Sequence, residues 1–244
     1  MEQILTDLTE WLAADETIAL ATVVRTEGSS PRPLGSRMAV TASGHMAGSV
    51  SGGCVEGDVF REAQDVLESR EPRRLRYDAV GEEGWQVGLA CGGAMEVYVE
   101  PLLDAHRRLI DALNREETVG FATRLDGMGH LLAWPDGRVE GDQSLLSAIL
   151  PLVASGPSPA STAELRTRWG ADVFLEVLSH PATLTVVGAV HIAVPLAAMA
   201  QLLGFRVRLV DARRAFATWE RFPNVDELVV AWPQDALMPE TLRP

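Results

Sequence analysis

The sequence predicts an α/β protein: a mixed α/β domain over residues 1–155, a linker region and connecting strand over 156–181, and a short Rossmann-like parallel β-α-β domain over 182–244. Three observations predict it. Runs of β-branched residues alternate with amphipathic stretches through the first part of the chain. SGPSPAST (155–162) has linker composition. From 182, TLTVVGAVHIAVPLAAMAQLLGFRVRLVDARRAF runs strand, glycine turn, helix, glycine cap, strand and acidic residue.

Residues 3–14 place Ile4, Leu5, Leu8, Trp11 and Leu12 on one helical face. TIALATVVRT (17–26) reads as a buried strand, and EGSSPRPLGS (27–36) as a long turn. Residues 37–50 read as a hairpin turning at Ser43-Gly44. A helix over 55–70 turns Val59, Ala63, Val66 and Leu67 inward. Strands follow at 73–78 and 92–102, the second stopped by Pro101. Residues 104–115 look helical, and 118–139 form hairpins turning at Asp126-Gly127 and Asp136-Gly137. A helix over 144–155 is kinked at Pro151, and a strand over 172–179 leads to His180-Pro181. In the last part ARRAFATWERF is helix-like and ELVVAW (227–232) is a third parallel strand.

Composition narrows the chemistry. The net charge is −13, which repels nucleic acid. Every basic residue is Arg, so lysine Schiff-base and P-loop chemistry are excluded. No run approaches about 18 apolar residues, so no membrane span is expected. The N-terminus, MEQILTDLTEWLAADE, lacks the basic and apolar regions of a signal peptide, and the expected location is cytoplasmic.

In the β-α-β unit, Gly188 makes the tight turn and Ala193 is the small residue that packs helix on strand. Val190 stands where a second glycine would admit pyrophosphate, so NAD(P) binding by an oxidoreductase is the weaker alternative. Asp211, 23 residues past Gly188, sits where an acidic residue meets a ribose hydroxyl; a helix N-cap is its plainer role. His191 at the helix N-terminus faces a ligand phosphate or water. Three parallel strands leave edges that a homodimer or another domain would cover.

The two cysteines each adjoin a Gly-Gly pair: SVSGGCVEGD (49–58) and GLACGGAMEV (88–97). Cys54 falls at or just before the first turn of a helix, where free amides and the dipole favour a thiolate. Gly52 and Gly53 expose backbone amides and admit a bulky ligand. Cys91, Gly92 and Gly93 mirror the arrangement before a strand. The cysteines are 37 residues apart and no His or further Cys completes a structural zinc set. Soft-metal coordination, sulfur reception as a persulfide, a Cys54–Cys91 disulfide redox switch and plain burial all remain open from the residues alone. Arg32 and Arg37 flank the 28–36 turn, either solvated or pairing with a phosphate. Glu56 and Glu96 follow the cysteine motifs, orienting amides or lying on the surface.

GSSPRPLGSRM (28–38), GSVSGGCVEGDV (48–59), GLACGGAMEVYVEPL (88–102) and VVGAVHIAVPLA (186–197) together resemble, in order, the motifs of the XdhC/CoxI family, accessory proteins of xanthine dehydrogenase and related molybdenum hydroxylases. The resemblance spans roughly residues 10–232, though this chain has Gly-Ala-Val-His where the family usually has Gly-Ala-Gly-His. It implies an XdhC-type domain followed by a Rossmann-like one. It also implies a chaperone, rather than a turnover enzyme, that binds molybdenum cofactor (molybdopterin), assists its sulfuration and inserts it into an apo molybdenum hydroxylase. A cysteine desulfurase or sulfurtransferase is then a further partner. Carried over by motif, Gly52, Gly53, Cys54, Cys91, Gly92 and Gly93 are the cofactor positions, with Cys54 and Cys91 toward the metal and glycine amides toward the pterin phosphate.

Overall fold

The computed structural model describes residues 1–78, 92–154, 163–168, 171–179 and 181–238. The chain divides into two compact units, Met1–His180 and Pro181–Pro244.

The first unit starts with a 3₁₀ turn, Glu2–Ile4, running into α1 (Leu5–Ala13), which buries Leu8. β1 (Ile18–Glu27) is the central strand of an antiparallel sheet. The sheet order is β3 (Met46–Gly48), β2 (Arg37–Thr41), β1, β5 (Ala94–Pro101), β4 (Arg73–Tyr77). The first seven residues of β1 are all buried, without alternation. A strand reads this way when both of its faces are covered.

α2 (Glu56–Ser69) covers one face. Its Val59, Ala63, Val66 and Leu67 recur at helical spacing and pack with Ala19, Ala21, Val23, Val97 and Val99. Each large side chain buried here contributes about 1.5–3 kcal/mol.

A second antiparallel sheet covers the other face. Its order is β8 (Val139–Gly141), β7 (His130–Ala133), β6 (Val119–Arg124), β10 (Ala171–Leu178), β9 (Ala163–Arg168). Val24 and Tyr98 of the first sheet meet Phe174 of the second and Leu125 just after β6. The Tyr98 hydroxyl donates to the Gly127 carbonyl at 2.7 Å, so its polar tip is satisfied on burial. α4 (Leu146–Ala154) packs Ile149 and Val153 on the outer face of the second sheet, with Pro151 inside the helix. α3 (Asp104–Asn114) sets Leu109 and Leu113 against Phe121 and Leu132.

The second unit is a parallel sheet, β11 (Thr183–Val187), β12 (Arg206–Val210), β13 (Glu227–Val229), in that order. α5 (Ala193–Leu202) turns Ala193, Ala197 and Ala200 onto Val207 and Leu209. These small residues let helix and sheet approach closely. A short α6 (Pro233–Ala236) follows. No helix among the described residues is long and apolar enough to cross a membrane.

Two expectations change. The segment 156–181, expected as linker and connecting strand, supplies both β9 and β10 to the second sheet; SGPSPAST itself lies outside the described residues. β10 pairs with β6 as well as β9, so it is an interior strand of that sheet rather than a connection. ARRAFATWERF forms turns, not a helix. The Asp211 carboxylate takes the Arg213 backbone amide, and Arg221 donates to the Phe216 and Ala189 carbonyls, so local polar bonds replace the helical ladder.

Candidate functional site

The connections of the first sheet converge at one of its ends. Glu27, at the end of β1, pairs with Ala94 at the start of β5. β2 starts and β3 ends there too, with Met38 opposite Gly48, and β4 ends with Tyr77 opposite Met95. The turn 28–36 and the loop 49–55 therefore leave the same end of the sheet, where Gly92 and Gly93 precede β5. Antiparallel register thus places Gly52, Gly53 and Cys54 at the same end of the sheet as Gly92 and Gly93. Cys91 lies outside the described residues, so the expected pairing of two sulfurs does too.

Gly93 is fixed by close approach. A Cβ there would stand 2.0 Å from the Ser29 carbonyl oxygen and 2.7 Å from that of Glu27. Both obstacles are backbone, so no rotamer change relieves them. Gly93→Ala is expected to destabilise the first unit by about 1–3 kcal/mol. A urea midpoint equal to that of wild type would contradict this packing.

The loop before α2 is organised by Glu56. Its carboxylate accepts from the Ser49 hydroxyl at 2.6 Å and from the amides of Ser51, Gly52 and Gly53 at 2.8, 2.9 and 2.7 Å. The Ser51 hydroxyl also donates to it. Three successive amides can converge this way because Gly52 and Gly53 have φ of +80° and +122°, a region closed to most side chains. Partial burial pushes the Glu56 carboxyl up, but the Ser49 and Ser51 hydroxyls and the backbone amides outweigh it, leaving a pKa of about 2.

This corrects the expected use of the glycine amides. The amides of Gly52 and Gly53 are committed to Glu56 and are not offered to a ligand phosphate. What the glycines do offer is space: among the described residues, no atom beyond the chain neighbours lies within 4 Å of where a Cβ would sit on either. Cys54 follows them, exposed and free, two residues before the first residue of α2. The sequence places the thiol at the helix start, where it is found, and leaves the role of Glu56 open. A glutamate three residues after Gly53, at the first helical position, is the signal that points to it.

The interior between the sheets holds polar groups that no motif announces. The side chains of Arg37 on β2 and Glu176 on β10 are each 3% exposed and form a two-pronged ion pair, with Arg37 Nη1 3.1 Å from Glu176 Oε2. Nearby, Glu100, His106 and His130 gather within 4.8 Å. His130 Nε2 bonds Glu100 Oε2 at 2.8 Å, and His106 Nε2 stands 3.3 Å from Glu100 Oε1. These are metal-ligand types, but His106 Nδ1 already accepts the Leu103 amide at 3.1 Å. A neutral ring accepting there carries its proton on Nε2, the atom facing Glu100, and has no bare nitrogen for a metal. The group is a buried clasp joining β5, α3 and β7.

The clasp has a pH signature. Burial pushes the Glu100 carboxyl up, but attraction and hydrogen bonds from His106 and His130 win and hold it near 2. Burial lowers the His106 pKa below its ordinary 6.5 against the pull of Glu100. Both folded values are depressed, so both contributions are present at high pH. The His106 part is lost as pH falls below about 6.5, and the Glu100 part between about 4.5 and 2. The wild-type urea midpoint should drop between pH 7 and 5.5. His106→Gln, which keeps an acceptor for the Leu103 amide, should flatten that drop; an unchanged slope would contradict the clasp.

In the second unit Gly188 adopts φ +109° at the end of β11, and His191 is exposed just before α5. The Asp211 carboxylate is saturated from inside. Oδ2 accepts the Ala189 amide at 2.8 Å and Arg213 Nη2 at 2.7 Å, while Oδ1 accepts the Arg213 amide at 2.8 Å and its Nε at 2.9 Å. The Arg213 side chain, with these amides, overcomes desolvation and holds the acid well below the usual carboxylate range. Asp211 clamps the glycine turn to β12, so the NAD(P) alternative loses its ribose acceptor. Val190 is part-exposed on the same turn.

A β-sandwich unit carrying a glycine-framed thiol, followed by a three-stranded Rossmann-type unit, defines a two-part α/β protein whose site offers a soft ligand. Family profiles match both parts: the XdhC and CoxI family over residues 11–78, and the XdhC Rossmann domain over residues 184–241. The chain belongs to the XdhC/CoxI family. It is 29% identical over 241 residues to a probable xanthine dehydrogenase subunit of Bacillus subtilis (strain 168), covering 93% of this chain and 69% of that one. It is 36% identical over 108 residues to the molybdenum cofactor insertion chaperone PaoD of Escherichia coli (strain K12), covering 44% of this chain and 33% of that one. The fold matches a crystal structure of a xanthine dehydrogenase from Bacillus halodurans with TM-score 0.75 and 25% identity, covering 98% of this chain and 71% of that one.

Proposed function

We propose that this protein is an accessory factor that binds molybdenum cofactor as cargo, holds it during sulfuration and delivers it to a xanthine dehydrogenase-like apo-hydroxylase. The carrying observation is the exposed Cys54 thiol on a loop whose shape Glu56 sets and whose glycines leave room for a bulky guest. A thiolate is a suitable ligand for a soft metal or sulfur-bearing centre. Gly92 and Gly93 lie at the same end of the sheet, and Cys91 is the proposed second sulfur. The likeness to the chaperone PaoD and to the Bacillus subtilis dehydrogenase protein supports the same cargo and client class. A cysteine desulfurase, the apo-hydroxylase and a second copy of the chain are the partners this role calls for, and the cytoplasm its setting. Gly188, His191 and Asp211 maintain the second unit's glycine turn in this reading.

The test is retention. Wild-type protein mixed with cofactor released from a molybdoenzyme should carry molybdenum and pterin through gel filtration. Cys54→Ala should keep its circular dichroism spectrum and urea midpoint while losing most of the cargo. Equal retention by both proteins would remove Cys54 from the site.

A further inference from the structure

With the Gly52 and Gly53 amides bound to Glu56, a phosphate-bearing cargo needs another anchor. The turn that touches Gly93 at Ser29 continues to Arg32 and Arg37, and there it walls a cavity of about 330 Å³. Gln3, Leu34, Glu176 and Val177 also line it. Its size falls at the lower end of small-molecule sites, about 300–1,000 Å³.

Two buried side-chain atoms of this lining, Arg32 Nε and Arg37 Nε, have no hydrogen-bond partner among the described residues. A buried guanidinium N–H without an acceptor is costly, and such an atom marks a place where a ligand acceptor belongs. The charges agree. Among the described residues, Glu176 pairs with Arg37, while the Arg32 side chain donates to the neutral Gln3 side chain at 2.5 Å. The described side chains of the lining thus hold two guanidiniums, Arg32 and Arg37, against one carboxylate, Glu176.

We propose that this cavity is a phosphate-monoester subsite, in which Arg32 pairs with the phosphate and Arg37, held by Glu176, contributes its remaining N–H. The assignment of the phosphate to the cofactor cargo rests on the function proposed above; the subsite itself does not.

The test uses the full chain in two arms. Inorganic phosphate and phenyl phosphate are titrated by calorimetry into wild type, Arg32→Lys and Arg32→Ala. Cofactor retention is measured on the same proteins and on Cys54→Ala. Arg32 lies on a turn and is only partly buried, so its variants are expected to keep the wild-type urea midpoint. The proposal expects phosphate affinity to fall about tenfold or more in Arg32→Ala, as for loss of a charge-assisted bond, with Arg32→Lys between. Absent phosphate binding, or equal binding by wild type and Arg32→Ala, overturns the subsite. Cofactor retained equally by wild type and Arg32→Ala also overturns it as a cargo anchor while leaving the chaperone reading intact. Arg32-dependent phosphate binding in a wild-type chain that retains no cofactor does the reverse: the subsite stands with another phosphate monoester as its source, and the chaperone reading falls.

Discussion

Arg37→Ala should destabilise the first unit by about 3–5 kcal/mol, the loss typical of leaving one member of a buried ion pair alone. The pair spans the two sheets, from β2 to β10, and both side chains are almost wholly excluded from water. Removing the guanidinium leaves the Glu176 carboxylate with no cation in a region of low dielectric. The carboxylate must then take up a proton or draw in water, and either route weakens the fold. The effect should appear as a lower urea midpoint. The double replacement Arg37→Met with Glu176→Leu should recover most of the loss, because it removes both charges and fills the space with hydrocarbon. A single variant as stable as wild type would show that the pair is solvated. A double variant no better than the single would show that the shape of the pair, not its charge, holds the sheets.

Glu56→Ala should do its greatest damage to the site. Five donors converge on that carboxylate, and alanine leaves them to solvent. The loop is partly exposed, so water replaces some of the lost bonds and the stability cost is about 1–3 kcal/mol. The conformational cost is larger in effect. The Glu56 carboxylate tethers the amides of Gly52 and Gly53 in this conformation, and a Gly-Gly pair without that tether samples many backbone states. Cofactor retention should fall about tenfold or more, as when a positioning contact is lost. Glu56→Gln retains one side-chain oxygen and should fall between. Acid mimics the mutation. The folded carboxyl titrates near 2 against an ordinary 4.5, so its contribution is complete above about pH 4.5 and disappears as pH falls toward 2. The stability gap between wild type and Glu56→Gln should therefore narrow over that interval. A gap independent of pH would mean that the carboxylate does not organise the loop in its charged form.

Much of the architecture is legible in the sequence because it depends on local periodicity. Val59, Ala63, Val66 and Leu67 mark the buried face of α2 in the sequence, and the same residues are buried. The β-branched run of β1 and the turn at Ser43-Gly44 are equally plain. The strand–glycine–helix order of the second unit identifies its parallel sheet. The position of Cys54 ahead of a helix is legible for the same reason.

What escapes depends on distance or on competition. Arg37 and Glu176 are 139 residues apart, and nothing in their neighbours announces the pairing. Glu100, His106 and His130 meet only after two sheets and a helix have packed. β9 reads with the linker because its paired strand, β10, is what makes it a strand. The 212–222 segment has helix-forming composition, but Asp211 captures the Arg213 amide and side chain first. The use of the Gly52 and Gly53 amides is a competition that an internal carboxylate wins over an external phosphate, since Glu56 is tethered three residues away from Gly53 and a ligand is not.

Transfer tests the central claim most directly. The chain, loaded with molybdenum cofactor and freed of excess by gel filtration, is added to an apo molybdenum hydroxylase of the xanthine dehydrogenase type in the presence of a cysteine desulfurase. The account predicts that hydroxylase activity appears in proportion to the loaded chain added, and that the chain leaves the mixture without its molybdenum. A chain that elutes free of molybdenum and pterin, or that keeps its load while the hydroxylase stays inactive, would contradict it.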